Sequence, residues 1–295
     1  MATSGENIRY LPGINFPTNL VAYPNLEDCL EDDSDILVAV PSHGLRDTLM
    51  SIKPLLGPPS RVCWATKGFE LHTGRLPHQV AAEVLGADRP IAVLSGPTFA
   101  KEVAAGLPTA MTIAANNNDF AEALAVTLSS DNFRAYTSDD IIGVEVGGAV
   151  KNVLAIAAGM SDGLGFGANT RIALINRGLV ELMRLGVALG ASKETFMGLA
   201  GMGDLVLTCT DNLSRNRRMG LALASGMSIE EAQEEIQQVV EGVLAARAVK
   251  EVADKLGVEM PICEQVYQIL YERASPRQAV ETLMARRLRS EKEQH

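Results

Sequence analysis

The sequence has few residues that bind metals. Its four cysteines, Cys29, Cys63, Cys209 and Cys263, lie far apart, form no CxxC pair, and have no histidine at the spacing of a metal site. We therefore predict no bound metal and interpret the cysteines as reduced thiols of a cytoplasmic protein.

Excess positive charge and an export signal are also missing. The net charge is −10, which disfavours a general surface for nucleic acid or anionic membranes, although a local basic cluster could still hold a small anion. Residues 1–7 have neither the basic start nor the apolar core of a secretory signal. With 295 residues, of which 47% are hydrophobic, the chain is long enough for one large globular domain or two.

The hydrophobic pattern changes near residue 138. Before it, short β-rich runs alternate with helical segments, which is typical of a mostly parallel sheet covered by helices. The predicted strands are 20–23, 36–40, 61–65, 91–94, 110–114 and 133–136. After it the pattern is helical, and the predicted helices are 141–160, 171–189, 229–240, 243–256, 263–272 and 276–287. The predicted fold class is thus an α/β domain, 1–138, followed by an all-α domain, 139–295.

Local signals mark several helix ends in the second half. Ser228 with Glu231 matches a capping box, Gly257 matches a helix stop, and Ser275 before a proline matches an N-cap, with a box partner at Gln278. The last residues, 287–295, have the composition of a frayed charged tail.

Three predicted strands run into turns that could hold a ligand. These turns contain His43, Lys67 and the segment 95–100, and ligands of parallel sheets bind beyond the carboxyl ends of the strands. Thr98 is predicted to cap a short helix whose free N–H groups face an anion. Each turn taken alone is more typical of an ordinary strand-to-helix connection than of a ligand site.

Lys151 lies in the middle of a long apolar stretch, 141–160. Three interpretations stay open: a membrane span, which a central lysine disfavours, a structural ion pair in a core, and a proton-transferring group whose pKa is lowered by burial. Gly147 and Gly148, one turn earlier, are expected to leave open space beside the lysine stem for a ligand.

A second polar group follows a glycine-rich turn. Asp204 ends that turn and shares a face with Thr208 if a helix begins there. Ser214, Arg215 and Asn216 then offer donors suited to phosphate oxygens. The alternative is a solvated basic helix face, the usual outcome for a short basic run.

Together these motifs resemble the bacterial type of the NAD(P)-dependent glycerol-3-phosphate dehydrogenase family. The matching segments, in the family's order, are Tyr10-Leu-Pro-Gly-Ile, Val40-Pro-Ser-His, Trp64-Ala-Thr-Lys-Gly, Leu94-Ser-Gly-Pro-Thr-Phe-Ala-Lys-Glu, Gly147-Gly-Ala-Val-Lys-Asn, residues 198–204 and Ser214-Arg-Asn-Arg-Arg. The resemblance implies interconversion of sn-glycerol 3-phosphate and dihydroxyacetone phosphate with NAD or NADP, supplying glycerol 3-phosphate for phospholipid synthesis. It also implies a Rossmann-like first domain, a helical substrate domain and a small-molecule substrate, with no nucleic acid and no membrane span, and it leaves room for a homodimer.

The resemblance assigns roles to individual residues. Lys151 is implied to be the proton acceptor, with Asn152, Asp204 and Thr208 in support. The implied substrate-binding residues are Lys67, Gly96, Thr98, Lys151, Asp204, Ser214, Arg215 and Asn216. The implied cofactor-binding residues are Lys67, Ala100, Arg215, Val239 and Glu241. Burial and the neighbouring Lys67 are expected to lower the pKa of Lys151, while Asp204 orients it.

One departure from the family pattern concerns the start of the chain. No strand, GxGxxG turn and helix precede Tyr10, so we expect an N-terminally truncated dinucleotide-binding domain, an incomplete sheet and weak nicotinamide binding. Two hypotheses follow: a dehydrogenase whose true start lies upstream, or an inactive fragment that binds glycerol phosphate or a partner without redox chemistry. A related hydroxy-acid reductase is a third interpretation, disfavoured by the phosphate-suited segment 214–218.

Overall fold

A five-stranded sheet organises the first half of the chain. The structure, a computed structural model, describes residue 1, residues 3–30 and residues 34–287. The strands lie in chain order: β1 (Asp35–Val38), β2 (Arg61–Trp64), β3 (Ile91–Ser95), β4 (Thr109–Ala115) and β5 (Phe133–Ser138). Only the β3–β4 pair is antiparallel, so the sheet is mostly parallel, as predicted.

Helices cover both faces of this sheet. They are α1 (Leu45–Ile52), α2 (Pro77–Leu85), α3 (Ala100–Ala104) and α4 (Asn118–Leu128). One face packs against a cluster that includes Leu49 and Val80, and the other against Phe120 and Leu124. Because β3 is covered on both sides, all of its residues are buried, and its apolar sequence follows from that position.

The second half is helical and is built around one central helix. Its helices are α5 (Ile141–Gly163), α6 (Ala168–Ala188), α7 (Asp204–Thr210), α8 (Arg215–Ala224), α9 (Ile229–Ile236), α10 (Glu241–Leu256), α11 (Pro261–Tyr271) and α12 (Pro276–Met284). Helix α5 contacts α6, α7, α8, α10 and α11. Its start also packs on the sheet half through Val144, so α5 belongs to the core of both halves. The predicted α/β and all-α fold class is confirmed.

Helix α5 is long and apolar enough to cross a membrane by length and composition alone. In the structure 89% of its most apolar window is buried inside the protein. Glycine and alanine along α5 allow neighbouring helices to approach closely, which is the packing of a core helix.

The predicted helix ends in the second half are mostly confirmed. Ser228 Oγ accepts from the Glu231 N–H at 3.1 Å, and the Glu231 carboxylate accepts from the Ser228 N–H at 2.7 Å. Gly257 closes α10 with φ 65°. Ser275 Oγ accepts from the N–H of Gln278 at 3.1 Å, which confirms the N-cap; of the predicted box only this half is formed.

Several local predictions were wrong. Residues 20–23 form no strand, because no described strand lies beside them to complete their hydrogen bonds, and Val21 is 64% exposed. Thr98 does not cap α3: the N-cap is Phe99, and the Thr98 hydroxyl donates to the Gly96 carbonyl at 3.2 Å. Helix α9 ends at Ile236 rather than 240, because Gln237 takes a left-handed conformation with φ 56°. Helix α12 ends at Met284 rather than 287. Of the predicted tail, residues 288–295 lie outside the described residues.

Candidate active site

The centre of α5 carries a buried ion pair. Lys151 is 7% exposed and Asp204, the first residue of α7, is 1% exposed. The Lys151 ammonium contacts Asp204 Oδ1 and donates to Thr208 Oγ1 at 3.1 Å. Thr208 in turn donates to the Asp204 carbonyl at 2.6 Å, one helical turn back. The prediction that Asp204 and Thr208 share a helix face is therefore confirmed.

A second lysine reaches the same carboxylate from the sheet half. Lys67 follows β2, and its ammonium lies 2.7 Å from Asp204 Oδ2 and 3.3 Å from the Gly96 carbonyl oxygen. Gly96 follows β3 and also accepts the Thr98 hydroxyl. The carboxyl ends of two parallel strands thus meet α5 and α7 at one point.

The two glycines before Lys151 serve close packing instead of open space. A Cβ at Gly147 would lie closer than 3.0 Å to the Ala200 carbonyl oxygen. A Cβ at Gly148 would lie 3.2 Å from Cγ of Lys67. The Lys67 stem and the backbone of the turn before α7 occupy the expected open space. Because the packing is this close, the Lys67 ammonium can reach Asp204.

Burial and charge together set the protonation of this cluster. Burial lowers the pKa of Lys151 to about 8; Asp204 opposes that shift, and the Lys67 ammonium adds to it. Burial pushes the pKa of Asp204 upward, but the two ammonium groups outweigh it and leave that pKa lowered. The cluster therefore holds an ionised carboxylate beside a lysine that can lose its proton near neutral pH.

A chain of amides lies next to Lys151 on α5. Asn216 Nδ2 donates to Asn152 Oδ1 at 2.8 Å, and Asn216 Oδ1 accepts from the Gly242 N–H at 2.8 Å. Asn152 Nδ2 donates to the Gly148 carbonyl at 3.4 Å. These bonds tie the starts of α8 and α10 to α5.

The start of α8 brings two more predicted residues into place. Ser214 is its N-cap, and its Oγ accepts from the Arg217 N–H at 3.2 Å. Arg215 donates to the Val239 carbonyl at 3.0 Å. Arg217 is buried and donates to Asp162 and to the Cys209 carbonyl, so the alternative of a fully solvated basic face is wrong at that position.

The predicted cofactor-binding residues differ in how they lie relative to the cluster around Asp204. Burial raises the pKa of Glu241, while the charges of Arg215, Lys151 and Lys67 act to lower it, so Glu241 lies within the field of the cluster. Ala100 begins α3, beyond Gly96 and Thr98.

Two features of the site go beyond the predictions. Ser95, the last residue of β3, is 2% exposed, and its Oγ has no hydrogen-bond partner among the described residues. Ser95 belongs to the predicted turn 95–100, but its burial and its unpaired hydroxyl were not predicted.

The second missed feature is the buried Glu145 of α5. Its carboxylate accepts from the Trp64 indole at 3.1 Å and from the His78 N–H at 2.9 Å, and it contacts the His78 ring at 2.6 Å. Burial raises the pKa of Glu145 despite these contacts. Because Trp64 ends β2 just before Lys67, Glu145 anchors the strand that delivers Lys67. A lone acid in an apolar helix was the available signal.

Comparison with known families covers almost the whole chain. Residues 1–121 match the model for the NAD-dependent glycerol-3-phosphate dehydrogenase N-terminus, and residues 140–281 match that for the C-terminus. A glycerol-3-phosphate dehydrogenase [NAD(P)+] of Photobacterium profundum is 56% identical over 281 residues, 95% of this chain and 83% of that protein. The protein of the same name from Nitrosococcus oceani is 57% identical over 291 residues, 99% of this chain and 85% of the relative.

Solved structures agree. The crystal structure of glycerol-3-phosphate dehydrogenase from Coxiella burnetii has a TM-score of 0.94 at 50% identity, covering 97% of this chain and 87% of that one. The Saccharomyces cerevisiae glycerol-3-phosphate dehydrogenase has a TM-score of 0.82 at 30% identity, covering 95% and 84%. D-Mandelate dehydrogenase, at 14% identity and a TM-score of 0.52, shares the fold alone. These matches support the dehydrogenase hypothesis over the inactive fragment and over the hydroxy-acid reductase.

Proposed function

The chain belongs to the NAD-dependent glycerol-3-phosphate dehydrogenase family, and we propose that Lys151 takes up and returns the proton in its reaction. The protein is an NAD(P)-dependent oxidoreductase that interconverts sn-glycerol 3-phosphate and dihydroxyacetone phosphate. The observation that carries the assignment is the buried contact of Lys151 with Asp204, beside a second cation, at the junction of the two halves.

Oxidation of a secondary alcohol requires a base at the hydroxyl. A bound nicotinamide supplies the hydride acceptor, which none of the protein's own side chains can provide. A general base works best when its pKa lies near the working pH, and Lys151, with a pKa of about 8, meets that condition where an ordinary lysine does not. In the oxidising direction neutral Lys151 accepts the hydroxyl proton, and in the reducing direction its ammonium donates that proton to the oxygen of the carbonyl.

Asp204 and Thr208 support this role by fixing the lysine. Asp204 keeps the ammonium in place when it is charged, and Thr208 gives its nitrogen a further partner at 3.1 Å. A flexible four-carbon side chain would otherwise sample many rotamers, so these contacts hold the nitrogen at one position.

The substrate phosphate fits the start of α8. Ser214, Arg215 and Asn216 lie at the N-terminus of a ten-residue helix, where backbone N–H groups favour an anion. Arg215 adds a guanidinium, and Lys67 adds an ammonium on the opposite side of the cluster. Gly96 and Thr98 complete the proposed substrate site from the end of β3.

The residues present also fit a nicotinamide dinucleotide. The ends of the parallel strands β1, β2 and β3 lie at one edge of the sheet, the usual place for such a cofactor. Lys67 and Arg215 would face its negative charge, and Val239 with Glu241 would lie beside Arg215, which already contacts the Val239 carbonyl. Ala100 would contribute from the start of α3.

Replacement of Lys151 tests the proposal. We expect Lys151→Ala to lower kcat for glycerol 3-phosphate oxidation by about 10²- to 10⁴-fold, the usual contribution of a general base. The variant should still fold, because alanine suits a helix interior. The matched control is Lys250→Ala, which removes a surface lysine of α10 and should leave kcat unchanged. Near-normal turnover of Lys151→Ala would remove Lys151 from the mechanism.

We also propose that the protein works in the cytoplasm, as a homodimer. All four cysteines are free, and Cys63, Cys209 and Cys263 are buried, which suits a reducing compartment. Light scattering of the purified protein would measure its association state, and a monomer at micromolar concentration would contradict the dimer.

A further inference from the structure

A cavity lies in the helical half, away from the cluster around Asp204. It has a volume of about 430 Å³ and is lined by residues of α5, α6, α11 and α12. Its nearest lining residue on α5 is Ala157, six positions after Lys151, or about 9 Å along the helix axis. The volume falls in the range of small-molecule sites, about 300–1,000 Å³.

The lining of this cavity is aliphatic. It includes Met160, Leu174, Val266, Ile269 and Leu283, and no aromatic side chain contributes to it among the described residues. Such walls offer dispersion contacts along their length but no ring for stacking. They suit a flexible hydrocarbon chain.

One polar group inside the cavity wall has no partner. Ser161 is 4% exposed, and its Oγ makes no hydrogen bond to any described residue. The other buried polar residues of the wall already have partners. The Glu181 carboxylate accepts from the N–H groups of Ile262 at 2.6 Å and Cys263 at 3.1 Å, and the Gln265 amide donates to Gln268 Oε1 at 3.0 Å. Buried hydroxyls are normally hydrogen-bonded, so Ser161 points to a polar atom supplied from within the cavity.

Arginines mark the mouth of the cavity. Arg184, Arg286 and Arg287 contribute to its lining, in a protein whose net charge is −10. Arg184 donates to the Glu259 carbonyl at 3.2 Å, and Arg286 contacts the Glu259 carboxylate at 3.1 Å. A guanidinium has five N–H donors, so these single contacts leave capacity for an anion. Among the described residues, Glu181 contributes the only carboxylate of the lining.

We propose that this cavity is a binding site for a single-chain aliphatic amphiphile with an anionic head. The chain packs among the side chains of α5, α6, α11 and α12, a polar atom of the ligand meets the Ser161 hydroxyl, and the head lies against Arg184 and Arg286. This inference does not depend on the reaction proposed above, because the cavity shares no residue with the site around Lys151.

Calorimetric titration of the whole protein tests the site directly. The probes are dodecanoate and dodecyl phosphate, each below its micellar concentration, with dodecyltrimethylammonium as the cationic counterpart. We expect saturable binding of about one molecule of an anionic probe per chain and at least tenfold weaker binding of the cation. Tighter binding of dodecyl phosphate would identify a phosphate-headed ligand, and equal or tighter binding of dodecanoate a fatty acid.

Two neighbouring substitutions on α6 distinguish binding inside the cavity from effects at the nearby surface. Ala173 lines the cavity yet is exposed, so Ala173→Trp should block the mouth without disturbing the core. Ile172, 59% exposed, lies next to it outside the lining, and Ile172→Trp is the matched control. We expect at least tenfold weaker anion binding by Ala173→Trp and less than twofold change in the control, with unchanged melting temperatures. A third variant, Arg184→Gln, should weaken the binding of both anionic probes.

Several outcomes would overturn the proposal. They are the absence of saturable binding by both anionic probes, equal affinity for the cation, and equal effects of the two tryptophan variants. If Ala173→Trp alone dissociates a dimer that the wild type forms, and no probe binds, the cavity is an interface with a second copy instead.

Discussion

The ammonium of Lys67 lies 2.7 Å from the carboxylate of Asp204, although 137 positions separate them in the chain. This contact joins the end of a strand in the sheet half to the first residue of a helix in the helical half. Since the other oxygen of Asp204 contacts Lys151, the carboxylate is neutralised from both sides. The proposed catalytic cluster is therefore complete only when the two halves are packed together.

The rate of alcohol oxidation should depend on the protonation of Lys151. Its pKa of about 8 means that the neutral form increases as the pH rises through 8. We expect kcat for glycerol 3-phosphate oxidation to rise through that pH, and kcat for dihydroxyacetone phosphate reduction to fall. Steady-state pH profiles in both directions check this, and profiles without an inflection between pH 7 and about 9 would contradict it.

The lowered pKa of Lys151 also makes the free energy of unfolding depend on pH. In the unfolded chain lysine has a pKa of about 10.4, above the folded value. Between these two values the unfolded state binds more protons, so the Lys151 contribution to the free energy of unfolding rises as the pH increases from 8 towards 10. Chemical denaturation of wild type and Lys151→Ala at both pH values should show this increment only in the wild type.

Removal of the central charge should shift the pH profile. In Asp204→Asn the two ammonium groups lose their shared counter-charge, so the pKa of Lys151 should fall below 8 and the oxidation profile should move to lower pH. Breaking a buried ion pair typically lowers the free energy of unfolding by about 3–5 kcal/mol. Part of this loss is recovered when Lys151 loses its proton. Asp254→Asn, which breaks an exposed pair with Lys250, is the control and should change neither property. An unshifted profile would show that Asp204 does not control Lys151.

Close packing at Gly147 should not tolerate a methyl group. The added Cβ of Gly147→Ala would collide with the Ala200 carbonyl and push the turn that carries Asp204 away from α5. Overpacking of this kind costs about 1–3 kcal/mol, and we expect kcat to fall with it. Gly167→Ala, where no atom of the described residues lies within 4 Å of the added Cβ, is the matched control. Equal melting temperatures for the two variants would contradict the packing explanation.

The guanidinium of Arg215 should act on the phosphate. We expect Arg215→Ala to weaken binding of glycerol 3-phosphate more than binding of glycerol, because only the former presents an anion. Comparison of KM for glycerol 3-phosphate and of inhibition by glycerol would measure the difference. A proportional loss for both ligands would assign Arg215 to holding the Val239 carbonyl instead.

Several features were accessible from local sequence. Hydrophobic periodicity predicted all five strands of the sheet and the major helices, because each of these elements must bury one of its faces or both. Segment 20–23 was the exception: its β-rich composition satisfies local preference, but a strand also requires a neighbour, which local sequence does not supply. The prediction that Thr98 caps a helix failed because its hydroxyl donates to the Gly96 carbonyl. That carbonyl is also near in the chain, and local sequence does not decide between the two partners.

The sequence by itself determined the fold class, the family and the unusual position of Lys151, because a charged residue in an apolar helix is visible without coordinates. Only the tertiary structure decided what that lysine does there. Two contacts made across the chain, Asp204 and Lys67, oppose each other in setting its pKa, and the glycines expected to leave a space instead let the Lys67 stem and the Ala200 backbone close it. Electrostatic effects depend on distance and burial, which are properties of the packed molecule and not of any segment.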